Sequence, residues 1–274
     1  MTFTNTPVTR LVVLGLVGSS IGASLLDIKH YGYILLDPHI FRYGQLWRLL
    51  TYQLVYTNSA EVLFAAMSLY NLRMVERMWG SRKYASFLVV SGLVTAIVPP
   101  MILTVLRPFA PSVFNYMPAG FTPVIFAVLA QFHAMVPHMY KYRIATSEAP
   151  PTSEPFTGLT LSDKSYQYGV TLHLALLQWP GSLLGAAVGW LVGYAWRGGV
   201  LPSALVTWRL PGWMVGLKSQ RRSSEFEGLR RRLEGENAAA GTGATTALEG
   251  QAEGLADRRR TMGQQIVDQF REAL

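Results

Sequence analysis

The chain contains no cysteine, which removes disulfide frameworks, thiolate metal sites and cysteine nucleophiles together. Its five histidines are scattered, and only 15% of its 274 residues are charged, against roughly a quarter in an average soluble domain. What fills the space is apolar: half the residues are hydrophobic and the mean hydropathy is +0.23, the balance of a chain solvated by lipid. The net charge of +8 is uneven, with 14 Lys/Arg against 7 Asp/Glu through Leu217 and 10 against 9 after it. Cations interleaved with hydrophobic segments mark membrane orientation, so no nucleic-acid partner is expected, and no cofactor or metal either.

Apolar runs fall at residues 11–26, 60–74, 84–106 and 121–140, and a nearly uncharged stretch over 166–196 is interrupted by Trp179-Pro180-Gly181. Since roughly 20 residues are needed to cross a hydrocarbon core, these runs predict an all-α membrane protein of six helices, the fifth short. The first run is read as an uncleaved anchor helix, with a cleaved signal peptide as the alternative. Pro123 falls in the first turn of the fourth helix, where a missing N–H costs little. Arg73, Arg77, Arg82 and Lys83 follow the second helix, Lys141, Arg143 and Lys164 the fourth, and Arg197, Arg209 and Lys218 the sixth. These alternate connections share one side, which places both termini in the cytosol and segments 27–59 and 107–119 in the lumen. The lumenal Lys29, Arg42 and Arg48 make this a bias and not a strict partition.

Residues 1–217 are thus expected to form the transmembrane domain and 218–274 a polar cytosolic tail. A Gly/Ala/Thr stretch at 236–254 is too poor in bulky apolar residues to fold and is expected to be a flexible linker. Met262, Ile266, Phe270 and Leu274 place one apolar face on a helix over 255–274, either docking on a partner or membrane surface or simply solvated. Gly185, Gly189 and Gly193 line one face of the sixth helix at four-residue spacing, which predicts close approach of a neighbouring backbone.

Gly44-Gln45-Leu46-Trp47-Arg48-Leu49-Leu50-Thr51, Glu76 to Gly80, Gly120-Phe121-Thr122-Pro123 and the glycine ladder occur in an order that resembles the rhomboid fold, over residues 11–197. That resemblance implies a lumenal first loop carrying Trp47 and Arg48, a serine nucleophile at the start of the fourth helix and a histidine on the sixth. Here Thr122 stands at the serine position, Ser182 at the histidine position, and Glu61 and Ala65 where the family carries a His-x-x-x-Asn oxyanion pair. A hydroxyl needs an adjacent base to attack a carbonyl, so the implication is a pseudoprotease. His173 pairing with Thr122 is the route to an active intramembrane protease; a structural His173 is the alternative. Glu61 is open to two readings, an interfacial residue at the helix N-terminus or a contact to a client. Glu76, beside Arg73 and Arg77, is read as a solvated helix end with local ion pairs.

The stretch from Tyr70 to Arg77, continued by Gly80 to Leu88, together with Pro118 to Phe121 and Leu210 to Met214, is similar to the UBA-domain-containing rhomboid pseudoproteases of the endoplasmic reticulum. Their fungal counterpart is the second subunit of the Dsc E3 ubiquitin ligase complex. The resemblance implies a non-catalytic adaptor in ER or Golgi membranes that presents transmembrane clients, including precursors of sterol-regulated transcription factors, to a RING-type ligase and its other membrane subunits. Membrane lipids would be its surroundings. Trp47, Arg48, Glu61, Thr122 and Ser182 are the expected lumenal cavity, reached by clients through an opening between the second and fifth helices. A derlin-like retrotranslocation factor is the alternative. No complete UBA domain is read in the tail.

Overall fold

A computed structural model describes residues 5–111, 113–145 and 158–215, with 228 and 231. The chain divides into two compact units, Met1–Leu217 and Lys218–Leu274. Of the second only Gly228 and Arg231 are described, so the expected linker and terminal amphipathic helix lie outside the described residues.

The first unit is helical. Its longer helices are α1 (Pro7–Leu25), α3 (Ser59–Trp79), α4 (Ser81–Leu106), α5 (Thr122–Met135), α6 (Ser165–Leu176) and α7 (Gly181–Gly198). Short helices α2 (Arg48–Thr51) and α8 (Ser203–Thr207) accompany them. Among the described residues α1 and α4 are long and apolar enough to cross a membrane, and α5 is a shorter apolar helix. The outward faces of α1 and α4 carry Leu11, Leu14, Ile97, Met101 and Val105, all exposed, as expected of surfaces whose solvent is lipid.

The helix ends follow local chemistry. Thr6 precedes α1 without a side-chain cap of its own, and Glu76 supplies one from α3. Its carboxylate accepts from the Val8 N–H at 3.0 Å, the Thr9 N–H at 2.8 Å and the Thr9 hydroxyl at 2.6 Å. Glu76 is wholly buried, which corrects the reading of a solvated helix end: the negative charge meets the positive end of the α1 dipole and two of its orphan amides. Asn58 caps α3 by accepting from the Ala60 N–H. Gly80, at φ +80°, both ends α3 and begins α4, a positive-φ position that suits a residue without Cβ.

Inside α4, Pro99 cannot donate to the carbonyl of Thr95. The Tyr52 hydroxyl donates to that carbonyl at 2.6 Å instead, re-satisfying the freed backbone group from outside the helix. Helix α5 stops at Met135, short of the expected Tyr140. Val136, the residue before Pro137, is extended, as the proline ring favours in its predecessor. The Lys164 ammonium closes this end by donating to the carbonyls of His133 and Val136, a cation at a helix C-terminus. The chain then forms a hairpin, β3 (Lys141–Ala145) with β4 (Gly158–Ser162), antiparallel from Lys141↔Ser162 to Ala145↔Gly158. This hairpin is a local addition to a fold that is otherwise helical, as expected.

Helices α5 and α7 form the tightest packed pair. A Cβ at Gly189 would strike the Pro123 carbonyl oxygen and one at Gly193 the Ala127 carbonyl, so the glycine face of α7 lies against the backbone of α5. Leu69 and Leu72 of α3, Phe87 of α4, Val124 and Val128 of α5, and Trp196 of α7 build the core. Within it Trp79, Phe87 and Trp196 meet edge to face, with centroids 5.4 and 5.1 Å apart. A second, smaller core of Ile34, Leu36, Tyr52, Leu103 and Met117 gathers about β1 (Ile34–Leu35) and β2 (Tyr116–Met117), which pair antiparallel. Asp37 bridges this region to Arg107 at 3.0 Å.

Candidate functional site

At the N-terminal end of α5 a small closed cavity is lined by Glu61 of α3, residues 117–120, Thr122 and Pro123 of α5, and Ser182 and Gly185 of α7. The space open to the centre of a water molecule is about 10 Å³, room for one water. The structure therefore brings Glu61, Thr122 and Ser182 together. Ala65, one turn below Glu61, is buried in the core and offers no polar group.

Backbone geometry sets the walls. Gly120 has φ +143°, and a Cβ there would penetrate the Tyr56 ring. Its N–H donates to the Tyr52 carbonyl at 2.6 Å. Gly181 is equally confined, since a Cβ would fall 2.6 Å from Pro118 Cδ and 2.7 Å from the Tyr116 carbonyl. The first loop, the 116–120 segment and the start of α7 are thus held against one another by positions that tolerate only glycine.

The hydroxyls are already engaged. Ser182 Oγ donates to the Ala175 carbonyl at 2.6 Å, and Thr122 Oγ1 is 3.0 Å from the Tyr56 hydroxyl. Burial pushes the Tyr56 phenol up, with Glu61 adding to the shift, so it stays protonated and offers no base to Thr122. No histidine lines the cavity. His173 is exposed on α6, its ring 4.6 Å from that of Phe64, and His133 is paired with the Tyr168 hydroxyl at 2.8 Å. Thr122 and His173 are not brought together.

Glu61 is the one ionisable group in the lining, 3% exposed. Gln178, two residues beyond the end of α6, donates its amide to Glu61 Oε1 and accepts from the Tyr116 hydroxyl at 2.8 Å. Oε2 of Glu61 is buried without a hydrogen-bond partner. Sequence reasoning alone does not single out Gln178, Tyr116 or Tyr56. The available signal is Gln178 itself, a lone amide just before Trp179-Pro180 in an otherwise apolar stretch.

Trp47 and Arg48 are elsewhere. Trp47 is exposed, whereas Arg48 is 4% exposed and does not snorkel. Its guanidinium donates to Gln45 Oε1 at 2.5 Å and to the carbonyls of His30 and Tyr33 at 2.9 and 3.0 Å. It also lies over the rings of Tyr31 and Trp47. Arg48 thus organises the first loop, and neither residue lines the cavity with Glu61, Thr122 and Ser182. Among the described residues no group of three His, Asp or Glu side chains is placed to hold a metal ion.

Comparison with known proteins finds a match over residues 10–273 to the family described as Eukaryotic integral membrane protein (DUF1751). The chain is 30% identical over 207 residues to DSC E3 ubiquitin ligase complex subunit 2 of Schizosaccharomyces pombe, covering 76% of this chain and 52% of that protein. It is 25% identical over 202 residues to Rhomboid-like protein 18 of Arabidopsis thaliana, covering 71% and 62%. With Ubiquitin-associated domain-containing protein 2 of Mus musculus it shares 28% identity over 109 residues, 39% of this chain and 32% of the relative. The matches span about half to three-fifths of the first two relatives and a third of the other.

Proposed function

The chain belongs to the DUF1751 family of eukaryotic integral membrane proteins, a rhomboid-like family, and from that membership we propose that it is a non-catalytic membrane subunit of a Dsc-type E3 ubiquitin ligase complex. The partner assignment rests on similarity to a Dsc subunit. The non-catalytic assignment rests on one observation. In the cavity where a rhomboid protease would cut, Ser182 is committed to the Ala175 carbonyl and Thr122 to a protonated phenol, with no imidazole to accept a proton.

In this reading α1, α3, α4, α5, α6 and α7 all cross an ER or Golgi membrane, with both termini in the cytosol. The subunit then selects clients by their transmembrane segments, sterol-regulated transcription-factor precursors among them, and passes them to a RING-type ligase. Clients approach between α3 and α6. A conduit role, moving clients out of the membrane as a derlin-like factor would, is favoured by a separate observation. Helix α6 has 12 residues, about 18 Å at 1.5 Å per residue against a hydrocarbon core of roughly 30 Å, and such a mismatch thins the surrounding bilayer.

Affinity purification of the tagged chain in mild detergent tests the assignment. Recovery of a RING ligase and further membrane subunits is expected. Purification as a lone protein, joined by cleavage of a model transmembrane substrate that disappears in Thr122→Ala, would replace the adaptor with a protease.

A further inference from the structure

We infer that Glu61 is a binding site for the ammonium of a lysine carried by a client's transmembrane segment, with the Gln178 amide holding that site shut until the client arrives. The inference rests on the adaptor reading above and names the chemistry by which one class of client is recognised.

Three observations carry it. First, Glu61 is buried with Oε1 taking the Gln178 amide, and its Oε2 has no donor at hydrogen-bond distance, the Asn58 backbone N–H at the start of the helix being the one further group that favours the carboxylate. A buried acceptor without a donor is costly, and a buried carboxylate without a cation more so. Arg42 and Arg107, cations of the segments expected in the lumen, both pair with Asp37 instead.

Second, the neighbouring groups leave a ligand only one role to play. Ser182 donates its proton to Ala175 and Tyr116 donates its own to Gln178. With Thr122 Oγ1 paired to the Tyr56 hydroxyl, the group left open is the Glu61 oxygen, which in its ionised form accepts and cannot donate. The ligand must therefore bring N–H or O–H groups, and a positive charge also answers that of the carboxylate. The space accommodates one water, the size of an ammonium and too small for a planar guanidinium fork.

Third, the site lies where an apolar ligand can reach it. Gln178 spans from the end of α6 to the first turn of α3, so its bond to Glu61 closes the seam between those helices. Lower down the two helices meet through Phe64 with His173 and Met67 with Tyr166. Leu63 of α3 and Leu172 and Leu176 of α6 are exposed on them, as is Trp179 beside Gln178. A free hydrated cation gains nothing from that surface. A helix of apolar side chains with one lysine at the depth of Glu61 matches it, and the lysine replaces Gln178 as donor.

The test uses the tagged full chain in its ligase complex, with single-span helices that carry Lys, Arg, Asn or Leu at one position in the lumenal third. Wild type is expected to capture the Lys helix better than the Arg helix and both better than the Leu helix. Glu61→Gln, which keeps an oxygen for Gln178, is expected to lower Lys capture about tenfold, the scale of one lost charge-assisted contact in a low-dielectric site, while leaving the Asn helix unchanged. Gln178→Ala keeps the carboxylate and is expected to raise Lys capture several-fold; a fall in this variant overturns the latch. Undiminished Lys capture by Glu61→Gln, with ligase subunits and the Asn helix still recovered, overturns the lysine site and leaves the adaptor reading standing. If wild type recovers neither ligase subunits nor any helix, the adaptor reading fails and the site fails with it.

Discussion

Glu76 shows how much one side chain sets when its charge is placed at a helix end. Replacing it with alanine strips two backbone amides and a hydroxyl of their acceptor in a buried setting, which is expected to cost about 2–4 kcal/mol. The check is thermal unfolding in detergent, where Glu76→Ala should unfold at lower temperature than Glu76→Gln, which retains one acceptor oxygen. His39 gives a pH dependence of known sign. Burial, with Arg48 adding, lowers its pKa below 6.5, and its Nδ1 accepts the Leu35 N–H at 3.2 Å, the role of a neutral ring. The unfolded chain therefore takes up the proton first as pH falls. The stability this ring contributes is complete above pH 6.5 and declines below it. Amide exchange at 34–40 should accelerate between about pH 7 and 5 in wild type, with a smaller change in His39→Gln. The side chains of the cavity are legible in the sequence only as family positions. Thr122 and Ser182 fall on recognisable motifs, whereas the partners that occupy this site, Tyr56, Ala175 and Gln178, follow no spacing rule that would announce them.

Elements are more readable than their ends. Apolar runs locate α1, α3, α4 and α7 because each is a continuous stretch that lipid or core can solvate. The stop of α5 is set by Pro137, while hydropathy alone carries the helix on through the apolar residues beyond it. The β3–β4 hairpin leaves less trace, since its strands are five residues each and twelve residues separate them; pairing at that distance has no local period. The close packing of these elements can be tested directly. Gly189→Val drives a branched side chain into the Pro123 carbonyl and is expected to separate α5 from α7, destabilising the protein by about 3 kcal/mol or more, read as a lower unfolding temperature. Tyr52→Phe leaves the Thr95 carbonyl without a donor beside Pro99 and is expected to cost about 1–3 kcal/mol. Amide exchange along α4 should rise there while α7 is unaffected.

At the scale of the molecule, helix length is the unequal quantity. Helix α4 has 26 residues and α6 has 12, so with α6 crossing the membrane, as proposed above, one bilayer thickness cannot match both. Reconstitution across lipids of increasing acyl length is expected to lower thermal stability steadily once the hydrocarbon core exceeds roughly 30 Å. Cross-linking between α3 and α6 would report whether the strain collects at their seam; a stability independent of thickness would remove the mismatch argument. The arrangement of the six longer helices also has a temporal side. Glu76 and the first turn of α1 are 67 residues apart in the chain, and everything between them must be synthesised before they meet. During biogenesis α1 therefore leaves the ribosome with its amino end unsatisfied, and the carboxylate that completes it arrives at the far end of α3. A nascent chain arrested before residue 76 would lack the acceptor that closes the start of its first helix.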